Sequence, residues 1–580
     1  MFEVYKSLGW FFKQEWKKYL VMLLLLIALS FMSIIPARLL GEAIDTIVAG
    51  ELSKRLLIGF VLLFVLVPLV RYVFDFCYHY LINSQGQKLS YQLRKRYLNK
   101  LFEMDSKLYE EYTKGDLIAR VTNDLQALTV AATSLLQEIV YNTSLLTFTI
   151  GTMILSINLK LTLVSVTIMP ISFFILTKIL RRMRRYYRTH RKIYSNMTEK
   201  VLESVEGVKV VRAYVQEEND RKQLEEAIHE DINSWRKIVK FETIFGPLFD
   251  FVYSISYFLA FAYGTYLVIF QEITVGQLIT FTMYLGMLYG PIISLSNIFN
   301  GINNAIISNE RFSEILSKET DVKDTSDSKP IINFNEIEFK DVSFKYPFDK
   351  HQVINHINFT INKGEKIGIV GPTGSGKSTL IRQLLREFNV KEGQILIDGL
   401  PIEQYQVLHV RNLVGYVPQS HILFRRTVDE NILIGKQEAE PNEVETAIRI
   451  ADFKKDVAYL TDGLNTLVGE SGATLSGGQK QRLSIARALI KDPEILILDD
   501  SLSAVDADTE KTIINHLKEY RNKKTTIIVA HRFSAIKDAD KILVLVDGKI
   551  IERGTHEELI ALDGWYKEQY IKQTVLGEED

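Results

Sequence analysis

Over roughly the first 310 residues the apolar positions neither alternate nor follow a single helical stripe; they run together. Apolar stretches cover residues 19–40, 56–82, 135–157, 161–180, 245–270 and 276–307. A helix needs about 20 apolar residues to cross the hydrocarbon core, so each stretch is long enough. MLLLLIAL at 22–29 is apolar on every face, and residues 19–37 carry no charge. A helix with no polar face belongs in a membrane and not on the surface of a soluble core. The pattern predicts six spans in a domain covering 1–315, with both ends on the same side of the membrane.

Basic residues indicate the side. RRMRRYYRTHRK (181–192) follows the fourth span, KLSYQLRKRYLNK (88–100) follows the second, and Lys13, Lys17 and Lys18 precede the first. Basic loops stay in the cytoplasm, so both termini are expected there, in a multi-pass protein of the cell membrane. Glu3 and Glu15 among the lysines, with no small-residue cleavage site, predict that the first span is retained. Leu8, Trp10, Phe11, Phe12 and Trp16 beside those lysines suit a short helix lying in the interface. The polar, helix-patterned stretches after spans two and four are too long for structureless loops, so the spans are expected to continue into the cytoplasm.

A few charges fall inside the predicted spans, among them Arg71, Asp75, Glu138 and Asp250. Each costs about 2.5–3.5 kcal/mol if it faces lipid at mid-helix, so each should face a partner or a cavity. Arg71 and Asp75 are four apart and can pair. Either Glu138 or Asp250 is expected to face a substrate cavity.

After residue 315 the chain turns to KETDVKDTSDSKP, a polar linker (316–332). It then alternates short β-branched runs with helical stretches, an α/β domain over 333–580. A length of 580 residues agrees with at least two domains. A net charge of −1 gives no electrostatic reason to expect nucleic acid as a partner. The single cysteine, Cys77, excludes an intrachain disulfide and any cysteine-rich metal site, and is expected to be a small buried hydrophobe.

The α/β domain opens its chemistry with GPTGSGKST (Gly371, Pro372, Thr373, Gly374, Ser375, Gly376, Lys377, Ser378, Thr379), directly after the strand-like KIGIV. Glycines let backbone N–H groups curl around phosphates, Lys377 reaches the β- and γ-phosphates, and Ser378 can ligate Mg²⁺. ILILDD (495–500) is an apolar strand ending in Asp499, a carboxylate suited to the metal of phosphoryl transfer.

Between them stands LSGGQ, Leu475 to Gln479, followed by a basic stretch. Here the chain resembles the ABC transporter family, for which this signature is diagnostic. The resemblance implies ATP and Mg²⁺ as ligands. Tyr346 in FKYP matches the aromatic that stacks on adenine. Gln419 in YVPQ matches the glutamine that senses γ-phosphate and Mg²⁺, so that Ser378, Gln419 and Asp499 would hold the metal, partly through water. SAVD (503–506) matches the loop at the dimer interface, and His531 in VAHR matches the histidine on the γ-phosphate. Ser476, Gly477, Gly478 and Gln479 would contact ATP held by the partner. TLVGESG (466–472), YEEYTKGDLIARVTND (109–124) and ESVEGVKVVRAYVQEEND (203–220) resemble the exporter-specific loop and two intracellular loops bearing coupling helices. The implied fold is a six-helix exporter bundle followed by a P-loop ABC domain.

One position departs from the family. Where it carries a glutamate that polarises the attacking water, this chain has Asp500, one methylene shorter. A misplacement of about 1 Å can cost on the order of a hundredfold in rate. Together with LDDSLSAVD (498–506), the departure resembles the weak-site half of Gram-positive heterodimeric multidrug exporters. A second half-transporter is therefore the expected partner, with Asp500, His531 and Gln419 forming a slow catalytic set. The alternative is a homodimeric exporter or flippase of lipid or peptide. Aromatic residues in the spans (Tyr253, Tyr257, Phe258, Tyr263, Tyr284) suit small hydrophobic or cationic substrates.

Overall fold

The computed structural model describes residues 2–577 except 348, 470, 471 and 473, with backbone alone at 2, 169–181, 184, 245, 246, 249, 292, 293, 295, 296 and 575–577. The chain forms two compact units. One is Met1–Leu98 with Ile118–Ser317, and the other is Asn99–Leu117 with Lys318–Asp580.

The first unit is helical. Among the described residues, Trp16–Val48, Lys54–Glu103, Lys114–Ile157 and Asp250–Ile269 are long and apolar enough to cross a membrane. The remaining two expected spans are helical as well. Leu159–Val166 is followed by Ile168–Glu206, and Val275–Met287 by Tyr289–Ser317. Ahead of the first span lie two short helices, Phe2–Ser7 and Gly9–Gln14, with Val4, Leu8 and Phe11 turned inward. Two short helices thus stand where one was expected from the mixture of aromatics and lysines. Ile34, Leu145, Leu161, Phe281 and Tyr284, drawn from four of the expected spans, share one core.

Trp16–Val48 and Val275–Met287 approach most closely at two glycines. A Cβ on Gly276 would lie 2.0 Å from the Gly41 carbonyl oxygen, and one on Gly41 would lie 1.9 Å from Thr280 Oγ1. The close approach lets Asp45 accept from the Gly276 N–H (2.7 Å) and from the Thr274 hydroxyl (2.6 Å). Thr274 and Gln277 add a reciprocal capping box at the same helix start.

Two local expectations are corrected. Cys77 is exposed, because the helical turn that buries Tyr78 and Ile82 leaves Phe76, Cys77 and Tyr80 on the outer face. Asp75 approaches His79 (3.7 Å) and not Arg71, the residue four positions on being equally placed on its face.

The second unit is built on two sheets. Strands β1 (Glu336–Phe344), β2 (Ile354–Asn362), β4 (Glu392–Ile397) and β5 (Leu400–Pro401) form an antiparallel sheet in the order β2-β1-β4-β5. Strands β3 (Lys366–Val370), β6 (Val414–Val417), β7 (Ile495–Asp499), β8 (Thr525–Val529), β9 (Lys541–Val546) and β10 (Lys549–Gly554) form the other, in the order β10-β9-β3-β8-β7-β6. Its centre is parallel, and β7 and β8 are buried at every position. Parallel strands covered on both faces read as continuous aliphatic runs, which is how ILILD and TTIIV read.

This unit also takes in Asn99–Leu117, which carries the short helix Ser106–Glu111. Asp105 caps that helix, accepting from Lys107 N–H, and also accepts from the Asp321 and Val322 N–H groups and the Thr320 hydroxyl. Lys107 pairs with Asp321 at 2.7 Å, and Lys318 pairs with Glu111.

The glycine contact makes a prediction. Gly276→Ala places a methyl against backbone that cannot step aside, and overpacking of this kind costs about 1–3 kcal/mol. At Gly151, where a Cβ meets nothing within 4 Å, alanine should gain about 0.5–1 kcal/mol from helix propensity. Thermal melts of the two variants in one detergent should therefore shift in opposite directions.

Candidate nucleotide-binding site

Strand β3 is buried to its last residue, Val370, and the chain then turns through residues 371–376 into the helix Lys377–Leu384. The turn needs glycine. Gly371, Gly374 and Gly376 take φ of 152°, 83° and 96°. A Cβ would lie 1.9 Å from the Leu545 carbonyl oxygen at Gly371 and 2.7 Å from that of Val353 at Gly376. Gly376 offers no side-chain cap, so the first-turn N–H groups of the helix are left for an anion. The Ser375 hydroxyl is buried in the same loop without a partner among the described residues.

Lys377 is buried, and its Nζ donates to the carbonyls of Gly371 (2.7 Å) and Pro372 (2.8 Å). Burial pushes its pKa down, opposed by the carboxylates of Asp500 and Asp499. The lysine thus lies across the loop it is expected to serve, close to both acids.

Asp499 ends β7 and is 2% exposed. Its Oδ1 accepts from Ser378 Oγ (2.9 Å) and its Oδ2 from the Tyr416 hydroxyl (3.1 Å). Burial raises its pKa, and those two donors act against the rise. Ser378 Oγ and the Asp499 carboxylate are the hard oxygen donors that Mg²⁺ takes together with phosphate oxygens. Among the described residues, no cluster of three or more His, Cys, Asp or Glu could hold a metal unaided. The donor set therefore fits a cation that arrives with a phosphate ligand.

Asp500 follows in a left-handed conformation (φ 48°), its N–H donating to the Val529 carbonyl at 2.9 Å. Gln419 Nε2 donates to Asp500 Oδ2 at 3.2 Å, and His531 Nε2 lies 4.0 Å from the same oxygen. The three expected catalytic residues are thus gathered at the end of one buried strand. Two neighbours escaped the sequence reading. One is Tyr416, which stands within YVPQ itself. The other is His421, whose Nδ1 is buried without a partner among the described residues and whose pKa is lowered by burial and by the Arg487 cation.

Tyr346 sits beside the phosphate-loop helix. Its hydroxyl is 3.0 Å from Thr379 Oγ1 and accepts from Arg382 (3.3 Å). Its ring meets Phe344 and Phe388 edge-on, with centroids 5.1 and 5.4 Å away.

The signature begins the helix Gly477–Leu489. Ser476 caps it, accepting from the Gln479 N–H, while Gln479 Oε1 accepts from the Ser476 N–H. Arg482, one turn on, makes a bidentate pair with Asp456 (2.6 and 2.8 Å), both side chains being nearly buried. Gln481 Oε1 accepts from the Ala504 N–H (3.1 Å), tying the signature helix to the SAVD loop, where Asp506 caps the next helix. The signature makes no hydrogen bond to the phosphate loop among the described residues. Of TLVGESG, Glu470 and Ser471 lie outside the described residues.

In the membrane unit Asp250 lies within the long helix Glu217–Ile269. Its Oδ1 accepts from the Tyr289 hydroxyl at 2.9 Å, and Tyr253 packs edge-on to both Tyr289 and Tyr257. Glu138 is half-buried in Ser134–Thr152.

Comparison with known proteins agrees with this geometry. Residues 19–292 match the family described as ABC transporter transmembrane region, and residues 354–503 match ABC transporter. The chain is 40% identical, over all of its own length and 99% of the relative's, to the probable multidrug resistance ABC transporter ATP-binding/permease protein YheI of Bacillus subtilis (strain 168). It is 31% identical to the multidrug resistance-like ATP-binding protein MdlA of Escherichia coli (strain K12), over 98% of this chain and 96% of that one. A solved bacterial Atm1-family ABC exporter with ATP bound superposes with a TM-score of 0.80 at 26% identity, over 97% of this chain and 98% of that one. The chain belongs to the ABC transporter family.

The Arg482–Asp456 pair yields a prediction. Asp456→Ala strands a guanidinium that is nearly buried, a loss of about 3–5 kcal/mol. The pair between Lys454 and Glu445 is largely exposed, so Lys454→Ala should change stability by at most about 1 kcal/mol. Calorimetry should show the nucleotide-domain transition falling sharply for the first variant and barely for the second.

Proposed function

We propose that this chain is the slow-hydrolysing half of a heterodimeric exporter of hydrophobic or cationic small molecules, with both termini in the cytoplasm. As an ABC transporter with an exporter fold, it is a multi-pass membrane protein that binds ATP and couples hydrolysis to transport. The single observation that carries the finer reading is Asp500. It occupies the end of β7 between Gln419 and His531, with a side chain one methylene shorter than the family's glutamate.

In this reading the loop 371–376 and the start of its helix hold the phosphates, with Lys377 on the β- and γ-phosphates. Tyr346 lies against the base. Ser378 and Asp499, with Gln419 through water, hold Mg²⁺, which when bound neutralises charge on the transferring phosphoryl group. Asp500 orients and deprotonates the attacking water from too far back, so turnover in this site is slow. His531 contacts the γ-phosphate. Ser476, Gly477, Gly478 and Gln479 complete the site of the second chain, which supplies the efficient acid. The relatives named for multidrug resistance support the substrate class.

Two measurements test this. The purified chain in lipid nanodiscs should bind ATP yet hydrolyse it far more slowly than about 1 s⁻¹, an ordinary enzyme rate. Asp500→Glu should raise that rate by up to about a hundredfold. Turnover near 1 s⁻¹ by the unaltered chain would replace the heterodimer with a competent homodimer. For the substrate, Asp250→Asn and Glu138→Gln should be compared in vesicles. One of the two should lower uptake of an organic cation such as ethidium while leaving a neutral dye unaffected. Unchanged uptake of every cation by both variants would remove the acidic subsite from the reading.

A further inference from the structure

Among the cavities, one lies wholly within the membrane unit and away from the nucleotide chemistry. It has a volume of about 460 Å³, in the range of small-ligand pockets, roughly 300–1,000 Å³. The entry segment contributes Tyr5 and Phe12, the first span Tyr19, the second Tyr78 and the third Val140. Only Gln137 brings an amide; the other lining side chains are aromatic or aliphatic. The hydroxyls of Tyr5 and Tyr19 are already committed to the carbonyls of Ala131 (3.1 Å) and Ala132 (3.2 Å). They are therefore not waiting for a polar ligand.

The position of the cavity narrows its occupant. On the first span its lining runs from Trp16 to Leu26, which at about 1.5 Å per residue is about 15 Å along the helix. That is about half of a hydrocarbon core of about 30 Å, the depth of one leaflet. Lys13 and Lys17 directly follow the lining residues Phe12 and Trp16, and both are exposed and without an ion-pair partner among the described residues. Lys18 and Lys88, by contrast, are held by Glu15 (2.9 and 2.5 Å). An apolar slot one leaflet deep, with two uncommitted cations next in sequence to its lining residues Phe12 and Trp16, matches an acyl chain joined to an anionic headgroup.

We propose that this cavity binds one anionic phospholipid, its acyl chain between the entry segment and the first three spans and its headgroup on Lys13 and Lys17. Such a lipid would clamp the entry segment to the third span across the helix break at Thr133.

The test uses the full chain in nanodiscs of equal phosphatidylglycerol and phosphatidylcholine, released into the gas phase for native mass measurement. One phosphatidylglycerol should be retained over phosphatidylcholine by about fivefold or more, the factor of about one lysine near an anionic surface. Lys13→Gln with Lys17→Gln should equalise the two lipids. Val140→Trp, which fills the slot, should lose the retained lipid. ATP binding serves as the folding control for all three proteins, and the lysine variant decides the matter if the tryptophan does not fold. Equal retention of the two lipids by the unaltered chain would overturn the proposal, as would undiminished retention in the filled variant. So would a lipid-free cavity that cross-linking shows to be covered by a second copy.

Discussion

A polypeptide in hydrocarbon has no water to satisfy its backbone, so every interruption of a membrane helix must be repaired by the protein itself. The membrane unit is organised around such repairs. At the break between Leu125–Ala132 and Ser134–Thr152, the carbonyls of Ala131 and Ala132 accept the hydroxyls of Tyr5 and Tyr19. The entry segment and the first span are thereby fixed to the third. At the start of Val275–Met287, Asp45 reaches across from the first span to the Gly276 N–H and the Thr274 hydroxyl. That bond is geometrically available only because Gly41 and Gly276 let the two backbones come together. One requirement, that polar backbone groups find partners, thus selects which helices are neighbours.

The nucleotide unit answers the same requirement for a side chain. Asp499 is almost completely withdrawn from water at the end of an apolar strand, and an isolated carboxylate there would be costly. Ser378 from the phosphate-loop helix and Tyr416 from β6 supply its donors, so the metal-side carboxylate also fastens the loop to the sheet. Asp500 has the opposite environment. It turns through a left-handed backbone, which aspartate tolerates better than most residues, and its carboxylate is held by the exposed amide of Gln419. Two adjacent acids are divided between structure and chemistry by one reversal of φ. Asp499 cannot be altered without loosening the loop, whereas Asp500 can vary in length at little structural cost.

Much of this was legible in the chain because the physics involved is local. Unbroken apolar runs announce spans, aliphatic five-residue runs announce buried parallel strands, and the spacing from Gly371 to Thr379 announces a loop that only glycine can close. Contacts between distant segments were not legible. The pairing of Asp75 with His79 instead of Arg71 depends on rotamers that helical spacing leaves open. The exposure of Cys77 depends on which face of its helix turns inward, which the apolar composition of the span does not show. Tyr416 and His421 were missed because a strand aromatic and a loop histidine look ordinary until the fold places them beside Asp499 and Asp500. Arg482 read as part of a basic stretch after the signature, yet it is the buried partner of Asp456.

The short helix Ser106–Glu111 shows why the boundary between membrane and nucleotide machinery does not follow chain order. It precedes four of the six spans, yet its segment clusters with the nucleotide unit. The reason is Asp105, a single carboxylate that accepts from its own helix start and from three groups of Thr320, Asp321 and Val322. Asp321 in turn accepts from Asn389 through its carbonyl. Glu110 on the same helix has its pKa raised by burial and lowered by the cation of Arg382. That guanidinium also donates to the Tyr346 hydroxyl and to Glu387. Arg382 stands on the phosphate-loop helix itself. Coupling between distant sites requires a chain of contacts with two arrangements that both sites can bias. Lys54–Glu103 runs unbroken from the second span across the division at Leu98 to this segment. Only Met104 and Asp105 separate the end of that helix from Ser106–Glu111, which carries Glu110.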